Sequence, residues 1–103
     1  MAHSKEFIQA IWEKGRIARG SDPKIWRKDT CNAWIKRNEY GNRSSQFGWE
    51  IDRITTGIKG GSYTISNCRP LQWRNNVKKS GGNLVCVVHA KRGSYRRENE
   101  TIK

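Results

Sequence analysis

The chain of 103 residues has the length of one small domain. It carries 21 lysines and arginines against 9 aspartates and glutamates, which gives a formal net charge of +12. No apolar run approaches the roughly 20 residues that span a membrane, and the starting segment MAHSKEF lacks the apolar core of a secretory signal. These features exclude a membrane-spanning protein and predict a single domain over residues 1–103, located in the cytoplasm.

The first predicted element is a helix over residues 5–14, KEFIQAIWEK. Its apolar residues recur at helical spacing, with Ser4 as the N-cap and Gly15 as the terminator. Such a stripe is typical of core packing. A loop is predicted for residues 15–24, because it contains two glycines and a Ser-Asp-Pro turn signal.

A short strand around residues 33–37 is predicted to pair with a strand over residues 49–54. The connection at 40–48 contains Gly41-Asn42, a strong turn signal. Trp26 and Trp34 are expected to be core aromatics. In the connection, Arg43 lies among polar residues that could contact a phosphate or form an ordinary polar turn.

Residues 48–79 predict a strand, a glycine-bearing loop and a short helix, with Pro70 in the first turn of that helix. Asp52 ends the strand and Asn76 lies on the helix. Carboxylate and amide oxygens are the ligands that hard divalent cations prefer, so the pair could hold such an ion. The alternative is that Asp52 caps a turn and Asn76 is solvated.

After this helix, residues 84–90, LVCVVHA, predict a final strand that ends near His89. Residues 91–103 are predicted to form a mobile basic tail. Between Asp52 and Glu98 the sequence contains no acidic residue, while lysines and arginines recur throughout. Such a charge distribution favours a polyanionic partner, namely nucleic acid, over a merely solvated surface.

The three cysteines, Cys31, Cys68 and Cys86, are widely separated and include no C-x-x-C motif. An odd number at this spacing argues against a disulfide framework and against a structural zinc site. We therefore expect reduced, mostly buried thiols. A pair brought together by folding is the alternative.

Four short motifs follow one another in the segment 48–79: EIDRI (50–54), GG (60–61), NCRPL (67–71) and NVKK (76–79). In this order they resemble the ββα-metal core of the HNH endonuclease family. The phrases WR-x-D-x-C-x-AWI and YGNR-x-S-x-FGWE also resemble small phage and bacterial HNH proteins. The resemblance implies an α+β fold with a ββα-metal core, an N-terminal helix and an additional C-terminal strand, in a bacterial or phage-infected cell.

The resemblance also implies a set of functional residues. Asp52 and Asn76 would bind a divalent metal, Mg²⁺ or Mn²⁺ in the first place and Zn²⁺ or Ni²⁺ as alternatives. Asn67 would be the asparagine that ties the loop and orients the base. The implied partner is double-stranded DNA, contacted by Arg43, Lys59, Arg69, Arg74, Lys78 and Lys79.

Arg53 stands where the family has the histidine that activates water. A guanidinium stays protonated in proteins and cannot accept a proton from water. Loss of a positioned general base costs about two to four orders of magnitude in rate. Arg53 could instead clamp a phosphate oxygen through two parallel hydrogen bonds. We therefore expect a metal- and DNA-binding protein whose cleavage of phosphodiesters is impaired.

Two other functions stay open. The chain could be a working metal-dependent nuclease that uses His89, or no side-chain base at all, with Arg53 stabilising negative charge. In a related case, Arg53 replaces a natural histidine. The chain could also be a protein inhibitor or adaptor built on the HNH scaffold, with its basic face against an acidic protein partner.

Overall fold

The computed structural model describes residues 3–56, 62–77 and 83–102. In these ranges the chain forms a small α+β domain with two α-helices and three antiparallel pairs of short strands. The helices are α1 (Lys5–Trp12) and α2 (Trp73–Val77). The strands are β1 (Trp26–Lys28), β2 (Trp34–Lys36), β3 (Trp49–Arg53), β4 (Cys68–Gln72), β5 (Val88–Ala90) and β6 (Asn99–Thr101). Strand β1 pairs with β2, β3 with β4, and β5 with β6. No helix in these ranges has the length and apolar character needed to cross a bilayer.

Helix α1 begins where the sequence predicts. The Ser4 hydroxyl accepts a hydrogen bond from the Phe7 amide at 3.0 Å, which satisfies one of the free amides of the first turn. Ile11 and Trp12 are fully buried on the inner side of the helix. The apolar stripe is therefore core packing, as predicted.

The β3–β4 hairpin separates the two helices. Successive residues of a strand face opposite sides, and one side of this hairpin packs on α1 to form the hydrophobic core. The Trp12 and Trp49 rings lie 5.3 Å apart there. The core cluster consists of Ile11, Trp12, Ile35, Trp49, Ile51 and Cys68. The other side of the hairpin carries Glu50, Asp52 and Leu71 and packs against α2.

A buried polar pair, Asp29 and Asn75, fixes the position of α2. The Asp29 carboxylate accepts hydrogen bonds from the amides of Cys31, Ala33 and Gln72 and from the Asn75 side chain, at 2.8 to 3.0 Å. The amide oxygen of Asn75 in turn accepts bonds from the two amides that lead into β5. Burial raises the pKa of Asp29, and these four hydrogen bonds oppose that rise.

The predicted strand pairing is wrong. Strand β2, within the predicted 33–37, pairs with β1, and β3 pairs with β4. Pro70 lies in β4 opposite Ile51 and not in a helix. A two-stranded sheet has only edge strands, where a residue without an amide hydrogen is tolerated. The helix begins at Trp73. At its start, the side chain of the preceding residue, Gln72, accepts a hydrogen bond from the Arg74 amide at 2.7 Å.

The expectation of three reduced thiols is wrong as well. Cys31 and Cys86 form a disulfide across 55 residues of sequence, and Cys68 alone is a free thiol, buried in the core. The Ala90 amide donates to the Asn32 carbonyl at 2.7 Å, so the segment around β5 returns to the turn that holds Cys31. Structural disulfides are rare in reducing compartments, which makes this pair unusual for the predicted cytoplasmic location.

The C-terminal region also differs from its predicted form. Strand β5 covers only Val88–Ala90 of the predicted 84–90, and the segment predicted as a tail contains β6, which pairs with β5. The Asn99 side chain holds this strand through hydrogen bonds with the backbone of Trp34 and Gln46. Trp34 and Trp26 are half-buried and lie outside the core cluster, with cationic side chains over their rings.

Candidate metal and nucleic-acid site

Two carboxylates, Glu50 and Asp52, lie on the face of β3 that packs against α2. The Asp52 side chain is only 3% exposed, and its Oδ2 accepts a hydrogen bond from Arg69 Nε at 2.8 Å. Arg69 is the residue directly opposite Asp52 in the antiparallel register, so the pair is a cross-strand ion pair. Because the pair is buried, removing either residue would take this counter-charge from a buried charged group and destabilise the fold.

Glu50 has two partners on different elements. Arg43 donates from Nε at 2.6 Å and from Nη2 at 2.9 Å, a bidentate geometry, and Asn76 Nδ2 donates at 2.8 Å. Burial raises the pKa of Glu50, but the hydrogen bonds from Arg43 and Asn76 and the charge of Arg43 outweigh it. The pKa of Glu50 therefore lies below its ordinary value. The same contact raises the pKa of Arg43.

The bond between Asn76 and Glu50 decides where the predicted metal ligands lie. Glu50 and Asp52 are two residues apart in β3 and share one face. Asn76 contacts this face from α2, so Asp52 and Asn76 lie on the same side of the hairpin. Glu50 was not among the predicted site residues. Its i, i+2 spacing from Asp52 in a predicted strand is the signal that could have included it.

The oxygen donors of this face suit a hard cation. Within the described ranges no group of three or more His, Cys, Asp or Glu side chains converges as a metal cluster would. The donors are carboxylate and amide oxygens, which suit Mg²⁺ or Mn²⁺ with water completing the shell. Zinc favours nitrogen and sulfur ligands, which this face lacks in the described part of the chain. A divalent cation here would compete with the guanidinium of Arg69 for Asp52.

Asn67 joins the two flanks of the segment between β3 and β4. Its Oδ1 accepts a hydrogen bond from the Thr55 amide, and its Nδ2 donates to the carbonyls of Thr55 and Ser62, each at 2.9 Å. The Ile54 amide donates to the Asn67 carbonyl at 2.7 Å. One asparagine side chain therefore closes the base of this connection next to the end of β3.

Arg53 is the last residue of β3 and lies opposite Cys68 in the register. Its guanidinium carbon lies 4.7 Å from the centroid of the Tyr63 ring. Burial raises the pKa of the neighbouring Cys68 thiol, a rise that the charge of Arg53 opposes. The residue at the predicted base position is thus packed on an aromatic ring.

The predicted DNA-contacting residues fall into three groups. Arg43 and Arg69 are paired with the two carboxylates of β3. Arg74 is exposed, with its guanidinium over the Trp73 ring at 5.2 Å. Lys59, Lys78 and Lys79 lie outside the described residues. His89, the alternative base, lies 3.5 Å from the Glu100 carboxylate across the β5–β6 pair.

No protein-family model matches this chain, and neither a curated protein nor a solved structure is significantly similar to it. The resemblance to HNH endonucleases therefore depends on the short motifs of residues 48–79 and on the two phrases that precede them.

Proposed function

We propose that this protein binds double-stranded DNA in the manner of an HNH endonuclease, with a divalent cation at Asp52 and Asn76 and with cleavage impaired at Arg53. The observation that carries the proposal is the contact between Asn76 of α2 and the carboxylate face of β3. Two antiparallel strands followed by a helix thereby bring a helical amide to the half-buried carboxylate of Glu50, two residues from Asp52 on the same strand face.

Asp52 and Asn76 would hold the cation, and Glu50 would orient Asn76 through its 2.8 Å hydrogen bond. When bound, the ion would neutralise charge on a phosphate group. Asn67 contributes by fixing the backbone where β3 ends, which holds the position of its last residues. The chain thus supplies oxygen donors from a strand and a helix that are each fixed by further contacts.

Phosphate binding would come from the basic side chains around this face. Arg43 has 56% of its side chain exposed even while it pairs with Glu50, so its outer edge can reach a ligand. Arg74 extends from α2 on the same part of the surface, above Trp73. The net charge of +12 adds a long-range attraction for a polyanion.

The guanidinium of Arg53 cannot act as a general base. It packs over the Tyr63 ring. The HNH family, which the motifs resemble, has a histidine at this position. We therefore expect DNA binding with little or no strand cleavage.

The test is nicking of supercoiled plasmid with Mg²⁺ or Mn²⁺, comparing the unmodified chain with Arg53→His. Arg53→His is expected to nick, and adding Asp52→Asn to it should abolish the activity. A folded Arg53→His protein that binds DNA but does not nick would contradict the assignment of the site. Nicking by the unmodified chain that is lost in Asp52→Asn would show a working nuclease. Capture of a protein partner that survives nuclease treatment, without DNA binding, would favour an inhibitor or adaptor.

A further inference from the structure

A second basic surface lies away from the Asp52 face, on elements that the proposed metal site does not use. It is a cleft of about 270 Å³ between the loop after α1, the β1–β2 hairpin and the connection from β5 to β6. Its basic side chains are Arg19, Lys28, Lys91, Arg96 and Arg97. None of the described residues that line it is acidic. The Glu98 carboxylate lies at its edge, 3.3 Å from the Ser94 hydroxyl and 3.9 Å from Lys91 Nζ.

Aromatic rings hold two of these cations in place without neutralising them. Lys28 Nζ lies 4.7 Å from the centroid of the Trp34 ring, and Arg97 lies 4.9 Å from that of Trp26 and 5.7 Å from that of Trp34. Arg97 also donates to the Ser21 hydroxyl at 3.1 Å. Cation–π contact orients a charge but leaves its positive potential available. Cations fixed close together repel one another, and an anionic ligand would relieve that repulsion.

Tyr95 gives this cleft a second kind of contact. It lies on the β5–β6 connection, in the turn that Gly93 permits with φ of +72°, and its side chain is fully exposed. A tyrosine that gains no burial from folding presents both faces of its ring to solvent. Beside fixed cations, such a ring can stack on a base while the cations bind the adjoining phosphates. Bases in a duplex are already stacked on each other, so this contact selects an unpaired strand.

We propose that the cleft formed by Arg19, Lys28, Arg96, Arg97 and Tyr95 binds a single-stranded nucleic-acid segment. The phosphates contact the guanidinium and ammonium groups, and one base stacks on the Tyr95 ring. This binding requires no metal and does not use Asp52 or Asn76. It goes beyond the proposed duplex binding and stands without it.

The experiment is fluorescence anisotropy of a labelled oligothymidylate in EDTA, repeated over a range of salt concentrations. Tyr95→Ala should weaken binding by about 10-fold, the effect of losing one stacked base. Tyr95→Phe, which keeps the ring, should bind as the unmodified chain does. Arg96→Gln should reduce the slope of log K against log salt by about 0.7, the value for one phosphate contact on a single strand.

Lys5→Gln is the matched control, because it removes one exposed positive charge from α1, beside Glu6 and away from the cleft. It should leave the salt slope unchanged. Unaltered affinity in Tyr95→Ala, or an equal loss of slope in Lys5→Gln and Arg96→Gln, would overturn the proposal. Because the binding is measured in EDTA, it does not depend on a cation at Asp52. Failure of the metal site and failure of this cleft are therefore distinguishable.

Discussion

Replacing Arg69 with glutamine removes the guanidinium that pairs with Asp52 at 2.8 Å. The carboxylate is 3% exposed and the Arg69 side chain 18% exposed, so the lost charge is not replaced by bulk water. Removing one partner of a buried ion pair costs about 3 kcal/mol or more. We expect Arg69→Gln to lower the free energy of unfolding in urea by about 3 kcal/mol and to lower Tm by more than about 10 °C.

Arg43→Gln is the matched control for this stability measurement. It also removes a guanidinium from a carboxylate of β3, but its side chain is 56% exposed. An exposed pair contributes at most about 1 kcal/mol, so the two variants should differ clearly. Equal effects of Arg69→Gln and Arg43→Gln would refute the reasoning that burial of Asp52 sets the magnitude.

The same variant connects stability to the proposed metal site. If Asp52 can bind a divalent cation, Mn²⁺ should occupy the place left by the guanidinium and restabilise Arg69→Gln. A cation at 100 times its dissociation constant adds about 2.7 kcal/mol. The double variant Asp52→Asn/Arg69→Gln should not respond. An equal shift in both proteins, or none in either, would contradict a cation at Asp52.

Three further predictions concern the rest of the fold. Cys31→Ser/Cys86→Ser should lose about 4 kcal/mol of stability in urea, because the disulfide closes a loop of 55 residues. Thiol titration of the unreduced chain in denaturant should find Cys68 alone. Three reactive thiols in the unreduced, unfolded chain would contradict this. Since the pKa of Glu50 is lowered, its contribution is present at neutral pH and is lost as pH falls through that lowered pKa. In Glu50→Gln the unfolding free energy should therefore change less as the pH falls into the acid range. An unchanged pH dependence would count against the contacts of Glu50 with Arg43 and Asn76. Asn67→Ala should speed hydrogen exchange at the Thr55 amide, because that amide loses its acceptor. Unchanged protection of the Thr55 amide would count against this hydrogen bond.

The sequence predicts best what short-range interactions decide. Helix α1 follows from an N-cap at Ser4 and an apolar stripe, both of which act within one or two turns. The pairing of β3 with β4 was missed because its register depends on contacts across a long connection, and Pro70 resembles a helix start when considered alone. The sequence left a cysteine pair only as the alternative for the same reason, since folding alone brings Cys31 and Cys86 together.

The candidate site shows the same difference between what short motifs predict and what contacts between distant parts of the chain decide. The motifs pointed to Asp52, Asn67 and Asn76, and the structure brings Asn76 to the face that carries Asp52. The ion pairs of Arg69 with Asp52 and of Arg43 with Glu50 could not be predicted. They depend on which residues the strand register and the 41–48 connection place opposite one another, and the predicted partner of β3 was a different strand.

Manganese titration followed by NMR tests the central claim most directly. Mn²⁺ broadens the signals of nuclei close to it, so amide spectra report where the ion binds. Binding at Asp52 and Asn76 predicts selective loss of the amide signals of β3 around Asp52 and of α2 around Asn76, with no such loss in Asp52→Asn. Broadening confined to other parts of the chain, or the same pattern in Asp52→Asn, would contradict a cation held by these two side chains.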